Sequence, residues 1–546
     1  MSFEVLDRDL LGRIGKLATK SGAIETPAFL PVINPTIQKI PPREIWEKFR
    51  LKAVITNSYI IKRHLDIPRL DVHSLLDFPG VIMTDSGAYQ LLRYGKVSVS
   101  PLEIVKLQEE INTDIAVILD IPTSWESYHA YAEKTVKETL KRAEESLKSL
   151  TRKDILWVGP VQGGRHLDLV ASSAQRMAEL PFHIYALGSP TEVMEHYYFE
   201  TLVDMIMSAK VNLPPNKPLH LFGAGHPLIF SFAVALGCDL FDSAAYAIYA
   251  REGRYIVESG TVRLENLEYF PCVCPICSQT TPKELRDKQP EEREALLARH
   301  NLYLCLSEVN RVKQAIRDGR LWELLELRAR SHPSLLQALK GFSKHANYFL
   351  RYTPVSKRRG LFIFGTTSLY RPEVLRHQES LTANYIRPEG LDVLLLLPQG
   401  TSKPFSMSQE YEQVKKLLKK VGGLELIHVC SYTPPFGVIP LELEEVFPLS
   451  QFEAAQPFDE EMKVDSARKI AAYLKAQRYE KVILHPNPEL INLKVLKKIK
   501  GVNMVVTTRR SKPWSEEALQ QLMEALYKTL MPLSKASGVR ASLSEL

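Results

Sequence analysis

DLFDSAAYAIYAREGRY, residues 239–255, ends an apolar run and begins a polar one. The run leading into it, FAVALGCDLF, reads as a buried strand that breaks off at Asp242. A carboxylate at the end of a buried strand is costly to keep unless it caps a helix or does chemistry. Company separates the two readings. Earlier strand-like runs also stop on polar or glycine positions, and no single cap explains all of them.

Those runs recur through the first half of the chain. AVITNSY spans 53–59, VIMTDSGAYQ starts at Val81 and IAVILDIPTSW starts at Ile115. ILWVGPVQGG reaches Gln162, HIYALGSPTE carries Gly188, and PLHLFGAGHP carries Gly223 and Gly225. Helical patterns separate them, such as PLEIVKLQEEIN from Pro101 and AEKTVKETLKRAEESLKSL from Ala132. Strand alternating with helix predicts a parallel sheet, and the number of units favours a closed (β/α)8 TIM-type barrel over an open sheet. The carboxyl ends of the strands would then bring together Asn57, Asp85, Asp120, Gln162, Gly188, Gly223 and Asp242. Aspartate and glutamine there can read the edge of a heterocyclic base, and Tyr89 can stack on its ring. Asp85 and Asp242 suit displacement at a sugar carbon, one attacking and the other moving protons.

A chain of 546 residues exceeds one core and predicts two or three domains. Lys and Arg number 70 against 63 Asp and Glu, a formal charge of +7 that permits a polyanionic partner without demanding one. No apolar run reaches the roughly 18 residues of a membrane helix. The start, MSFEVLDRDLLGR, lacks a signal-peptide pattern, so a cytoplasmic location is expected.

YFPCVCPICSQ packs Cys272, Cys274 and Cys277 into one loop. His300, on a helical stretch downstream, is the expected fourth ligand of a closed, structural zinc site, one ion per chain. Cys238, Cys305 and Cys430 stand alone in apolar runs and read as core.

Together these pieces resemble the tRNA-guanine transglycosylases, of the archaeal kind, over the first 340 or so residues. The resemblance rests on TDSGAYQ (84–90), ILDIPTS (118–124), VQGG (161–164), ALGSPTE (186–192), FGAGHP (222–227), residues 237–255, the cysteine cluster and HNLY (300–303). It implies a barrel with an inserted zinc subdomain at about 262–310 and a homodimer. Asp242 would be the nucleophile at the ribose C1′ and Asp85 the acid/base. Asp120, Gln162 and Gly188 would hold the base; DSGAYQ here, where bacterial relatives have DSGGFQ, alters the stacking position at Tyr89. The implied reaction replaces guanine at position 15 of the tRNA D-arm with 7-cyano-7-deazaguanine, an early step toward archaeosine, with no organic cofactor. Arg251 and Arg254 would meet tRNA phosphates.

From Gly341 to residue 385 the chain is basic and aromatic, with Lys357, Arg358 and Arg359 in a row, and reads as a junction. LDVLLLLP, LELIHVC, KVILHP and VNMVVTT then predict a smaller three-layer α/β domain over 386–512. This resembles the central domain of archaeosine synthase, but its motif cysteine is replaced by Gln399 and its histidine by Tyr411, while Lys403 remains. A non-catalytic role in placing tRNA follows. An amphipathic helix and tail fill 513–546, a tail expected to be mobile after Pro532, and no segment is long enough for the PUA-type RNA-binding domain with which many archaeal relatives end; whether a separate PUA-type chain supplies that domain is left open by the sequence. Two alternatives stay open: a related base-exchange enzyme acting on another nucleic acid or base, and a non-catalytic RNA-binding subunit of a heteromeric transglycosylase.

Overall fold

The computed structural model describes residues 3–64, 71–88, 99–400, 402–422, 426–499, 501–508 and 512–536. Two compact units divide it, Met1–Pro354 and Val355–Leu546. Among the described residues no helix is long and apolar enough to cross a membrane.

The first unit begins with an antiparallel sheet of β1 (Phe3–Asp9), β2 (Gly12–Thr19) and β3 (Gly22–Thr26). Eight parallel strands follow: β4 (Ala28–Ile33), β5 (Ala53–Asn57), β6 (Val81–Asp85), β7 (Ile115–Val117), β8 (Leu156–Val161), β9 (Ile184–Leu187), β10 (Leu219–Leu221) and β11 (Leu240–Ser243). They close in chain order, with β11 paired to β4. The sequence pattern assigns nothing before Ala53, so both the first sheet and β4 are additions made by the structure.

Side chains alternate in and out along each strand. Leu30, Ala53, Ile55, Val81, Met83, Ile115, Val117, Leu156, Val158, Ile184, Ala186 and Leu240 fill the barrel interior as one cluster. The intervening residues are equally buried, among them Val54, Ile82 and Phe241, as strands covered on both faces require. Phe241 meets the ring of Phe230, in the helix Pro227–Ala235, at 5.4 Å.

That helix corrects one reading. FAVALGCDLF is not a continuous strand: Phe232 to Ala235 end a wholly buried helix, Gly237 turns the chain at φ +91°, and the strand begins only at Leu240. A helix apolar on every side carries no 3.6-residue signature, so periodicity alone could not separate it from a strand. Asp242 therefore lies inside β11 and not beyond its end.

At the amino end of the barrel Asp239 is bound by Arg13, whose Nε and Nη2 donate to Oδ1 and Oδ2 at 3.0 and 2.5 Å. Both side chains are buried, and Arg13 also donates to the carbonyls of Pro215 and Lys217. After β11 come the helix Ala245–Arg251, the hairpin β12 (Arg254–Val257) and β13 (Gly260–Arg263), and the cysteine loop. The long helix Pro290–Asp318 follows, stopped by Gly319 at φ +71°.

In the second unit β14 (Leu361–Ile363) pairs with β18 (Phe452–Ala454). Its main sheet runs β17 (Gly437–Pro440), β16 (Ile427–Thr433), β15 (Val393–Pro398), β19 (Lys481–Leu484) and β20 (Met504–Val506), parallel except for β17. Along β15, Leu394 and Leu396 join a core with Ile470 and Leu474 of the helix Glu460–Gln477. Val393, Leu395 and Leu397 join another with Val414, Leu418, Leu522 and Leu526, from the helices Gln409–Val421 and Glu516–Ala536. These two faces make the three layers. The last helix is thus part of this core and runs through Ala536, past Pro532; residues 537–546 lie outside the described residues.

The stretch read as a junction, 341–385, is divided between the units. Phe342 and Phe349 stack at 5.2 Å in the first. Leu361, Ile363, Leu369, Val374 and Leu381 belong to the core of the second. Lys357, part of the basic row, is buried against Glu373 at 2.5 Å.

Candidate active site

The interior alternation of the barrel extends to its carboxyl rim and places the polar groups. Counting by twos, Ala53 and Ile55 lead to Asn57, Val81 and Met83 to Asp85, and Leu156 and Val158 to Gln162 by way of Pro160. Ile184 and Ala186 lead to Gly188, and Leu240 to Asp242. Asp120 departs from this count, because β7 ends at Val117 and the chain turns before reaching it.

Asp120 and Asp242 are buried, and Asp85, at the end of β6, is partly exposed. Burial pushes the Asp85 carboxyl up to about 7, reinforced by the nearby Asp120 and Asp242 charges. The three carboxylates therefore lie close together, and the Asp120 and Asp242 charges disfavour ionisation of Asp85. Asp120 is pushed up to about 6, again by burial, with Gln162 opposing.

Each side chain has a fixed orientation. Asp85 Oδ2 accepts from Asn57 Nδ2 at 2.9 Å and from the Gly87 amide at 3.3 Å. Asp242 Oδ1 accepts from the Gly223 amide at 3.1 Å and lies 2.9 Å from His220 Nε2. Gly223 has φ +71°, a left-handed turn that aims its N–H at the carboxylate. Gln162 donates from Nε2 to Asp120 Oδ2 at 2.5 Å. Its Oε1 accepts from the Thr123 amide at 3.1 Å and the Ser189 hydroxyl at 3.0 Å, which fixes the amide against a flip. Among the described residues no other side chain engages the second Nε2 hydrogen or Asp120 Oδ1, so a donor and an acceptor stand side by side at the rim. Gly188 serves this arrangement sterically, since a Cβ there would fall 2.2 Å from Gln162 Nε2.

Tyr89 lies outside the described residues. Arg251 is exposed at the end of the helix Ala245–Arg251. Arg254 is half-buried: its guanidinium covers the Tyr249 ring at 3.8 Å and donates to Thr261 at 3.0 Å. Sequence reasoning missed His220, Thr123 and Ser189. For His220 the available signal was an imidazole between two leucines of a short apolar strand. Ser189, at φ +60°, is a strained non-glycine residue that sequence does not disclose.

The donor atoms of Cys272, Cys274, Cys277 and His300 lie within 4.8 Å of one another. Cys274 and Cys277 sulfurs are 3.6 Å apart, and His300 Nδ1 is 3.5 and 3.4 Å from them. A tetrahedral site with Zn–S bonds of about 2.3 Å requires sulfurs about 3.8 Å apart, so the cluster has the right size. His300 Nε2 donates to the Ile256 carbonyl at 2.9 Å, which leaves the Nδ1 lone pair facing the sulfurs. Tyr255 stacks on the His300 ring at 3.6 Å. These residues fit a metal ion.

Comparison with known proteins agrees with this geometry. The profile of the family described as queuine tRNA-ribosyltransferase matches residues 8–334, and that of a domain of unknown function (DUF5591) matches 374–526. The chain is 44% identical to a tRNA-guanine(15) transglycosylase of Saccharolobus solfataricus, over 90% of this chain and 97% of that protein. It is 43% identical to proteins of the same description from Pyrobaculum aerophilum, covering 95% of that protein, and Methanocaldococcus jannaschii, covering 70%. With its closed barrel, its rim of carboxylates and this match over residues 8–334, the chain belongs to the queuine tRNA-ribosyltransferase family.

Proposed function

We propose that this protein exchanges guanine at position 15 of the tRNA D-arm for 7-cyano-7-deazaguanine, an early step of archaeosine formation. The observation that carries the reading is the convergence of Asp85, Asp120 and Asp242 at one barrel mouth, close enough to act on one another's charge, with Gln162 locked beside Asp120. Asp242 attacks C1′ as the bond from C1′ to guanine N9 breaks, and Asp85, protonated near neutral pH, gives its proton to N9. The incoming base binds the same chamber, returns a proton to Asp85 through its own N9–H, and displaces Asp242. Asp120 accepts from the ring N–H and exocyclic amine, while Gln162 donates to the carbonyl. Tyr89 stacks on the base, and Gly188 leaves Gln162 its space.

Position 15 must leave its stacked place in the folded tRNA to enter this chamber. Arg251 and the outer edge of Arg254 contact phosphates near the mouth. The second unit supplies further backbone contacts and no chemistry: Lys403 Nζ donates to the Phe452 carbonyl at 2.5 Å and covers its ring, which ties it into the fold. Cys272, Cys274, Cys277 and His300 hold one zinc ion, which ties the cysteine loop to the long helix. The chain acts as a cytoplasmic homodimer, with a separate PUA-type chain completing tRNA binding.

The test is incubation with labelled guanine and unmodified tRNA, followed by mapping of the label. Label at position 15, lost with Asp242→Asn while tRNA binding persists, is the expected result. Label elsewhere, or covalent tRNA trapped on the denatured Asp242→Asn protein at wild-type yield, overturns the reading.

A further inference from the structure

His220 occupies the middle of β10, between Leu219 and Leu221, and is fully buried. Its register partners are Ala186 on β9 and Leu240 on β11, both in the barrel interior. An imidazole in such surroundings needs a partner, and it has one: Nε2 lies 2.9 Å from Asp242 Oδ1. Nδ1 has no partner among the described residues. With a carboxylate facing Nε2, that nitrogen carries the proton and donates it. The Gly223 amide donates to the same oxygen at 3.1 Å. Oδ2 has no protein donor among the described residues, and the side chain that carries it is 13% accessible.

We infer that His220 is a positioning residue that selects Oδ2 of Asp242 as the attacking atom and holds Oδ1 as the carbonyl oxygen of the ester. This rests on the reading of Asp242 as the nucleophile. In the first half-reaction an Oδ2 lone pair forms the bond to C1′, the C1′–N9 bond breaks, and its electron pair on N9 takes the Asp85 proton. In the second, N9 of the incoming base bonds to C1′ and loses its proton to Asp85. The Oδ2–C1′ bond then breaks, and its pair returns to the carboxylate. A hydrogen bond to a carboxylate is about twice as strong as one to a neutral ester carbonyl. His220 therefore favours the free carboxylate over the ester, so that the exchange is not held at the covalent stage.

The experiment uses the full chain with unmodified tRNA and measures two quantities, steady-state exchange of labelled guanine and the ratio of covalent to free tRNA on denatured protein. His220→Leu fills the site without a donor, as its leucine neighbours allow, and His220→Gln keeps an N–H. For His220→Leu the expected result is a kcat reduced about tenfold, a KM for tRNA within about twofold, and an adduct ratio raised about fivefold. His220→Gln moves both kcat and ratio back toward wild type. An adduct ratio unchanged in His220→Leu overturns the proposal, whether or not turnover falls. So does a His220→Gln protein indistinguishable from His220→Leu. If His220→Leu does not fold, His220→Gln at its wild-type ratio is compared with His220→Met, which must then show the raised ratio. A wild-type protein that yields no adduct, or an adduct that survives Asp242→Asn, instead overturns the nucleophile assignment beneath it.

Discussion

Asn57 and Asp85 are register partners on adjacent strands, and Asn57 Nδ2 donates to Asp85 Oδ2 at 2.9 Å. The Gly87 amide donates to the same oxygen, and burial holds a proton on Asp85 up to about pH 7. The donor also favours the ionised form, opposing burial. Asn57→Ala should therefore raise the Asp85 pKa further and move the alkaline fall of the exchange rate to higher pH. A pH–rate profile at saturating tRNA reads this directly; an unshifted limb would detach Asn57 from the proton step.

The same burial makes Asp85 a cost to the fold. Its pKa is about 7 here against an ordinary 3.8, so the folded protein retains a proton that the unfolded chain has lost. Stability from this group is complete below about pH 4, declines as pH rises to about 7, and stays low above it. Asp85→Asn should lose exchange yet melt several degrees higher than wild type at pH 8, a gain on the order of a few kcal/mol that disappears by pH 4. Equal melting temperatures at pH 8 would contradict the buried-carboxyl reading.

Gly188→Ala is expected to act through Gln162. The added methyl would fall 2.2 Å from Nε2, so the amide must move and release Asp120. Loss of affinity for the free base by at least tenfold, with tRNA affinity intact, is the expected outcome in separate binding titrations.

One zinc per chain should be found by metal analysis of protein purified without chelator. Cys274→Ser should lower the melting temperature and solubility before it alters the base pocket. In the assembled protein it should also weaken self-association, measured by sedimentation.

A fragment ending at Pro354 should keep the base pocket, whereas one ending near 385 carries Leu361, Ile363 and Leu381 stripped of the core they join. Binding of tRNA by the full chain should fall more steeply with salt than binding by the shorter fragment. Lys403→Ala should leave exchange at saturating tRNA unchanged, and a full loss with binding intact would give the second unit a chemical role.

Much of this was legible because barrel strands write their own ends. Asp85, Gln162 and Gly188 each follow short β-rich runs in which burial on both faces removes ambiguity, and the spacing of Cys272, Cys274 and Cys277 specifies a loop without help from tertiary context. FAVALGCDLF was misread because a fully buried helix and a buried strand look alike. His220 was missed because a lone histidine among leucines gains meaning only when β10 is set beside β11. Junction residues such as Lys357 look solvated in sequence, but Glu373, which neutralises it in the core, is invisible from the local pattern.

The count by twos that leads from Met83 to Asp85, from Ala186 to Gly188 and from Leu240 to Asp242 has one more implication. The chamber has no floor of its own; its floor is the uppermost layer of the packed interior. Deepening the chamber for a larger base therefore means trimming Met83 or Leu240, and each such change opens a void in the part of the fold that holds the barrel closed. Selection for a new base and selection for stability would be working on the same few side chains.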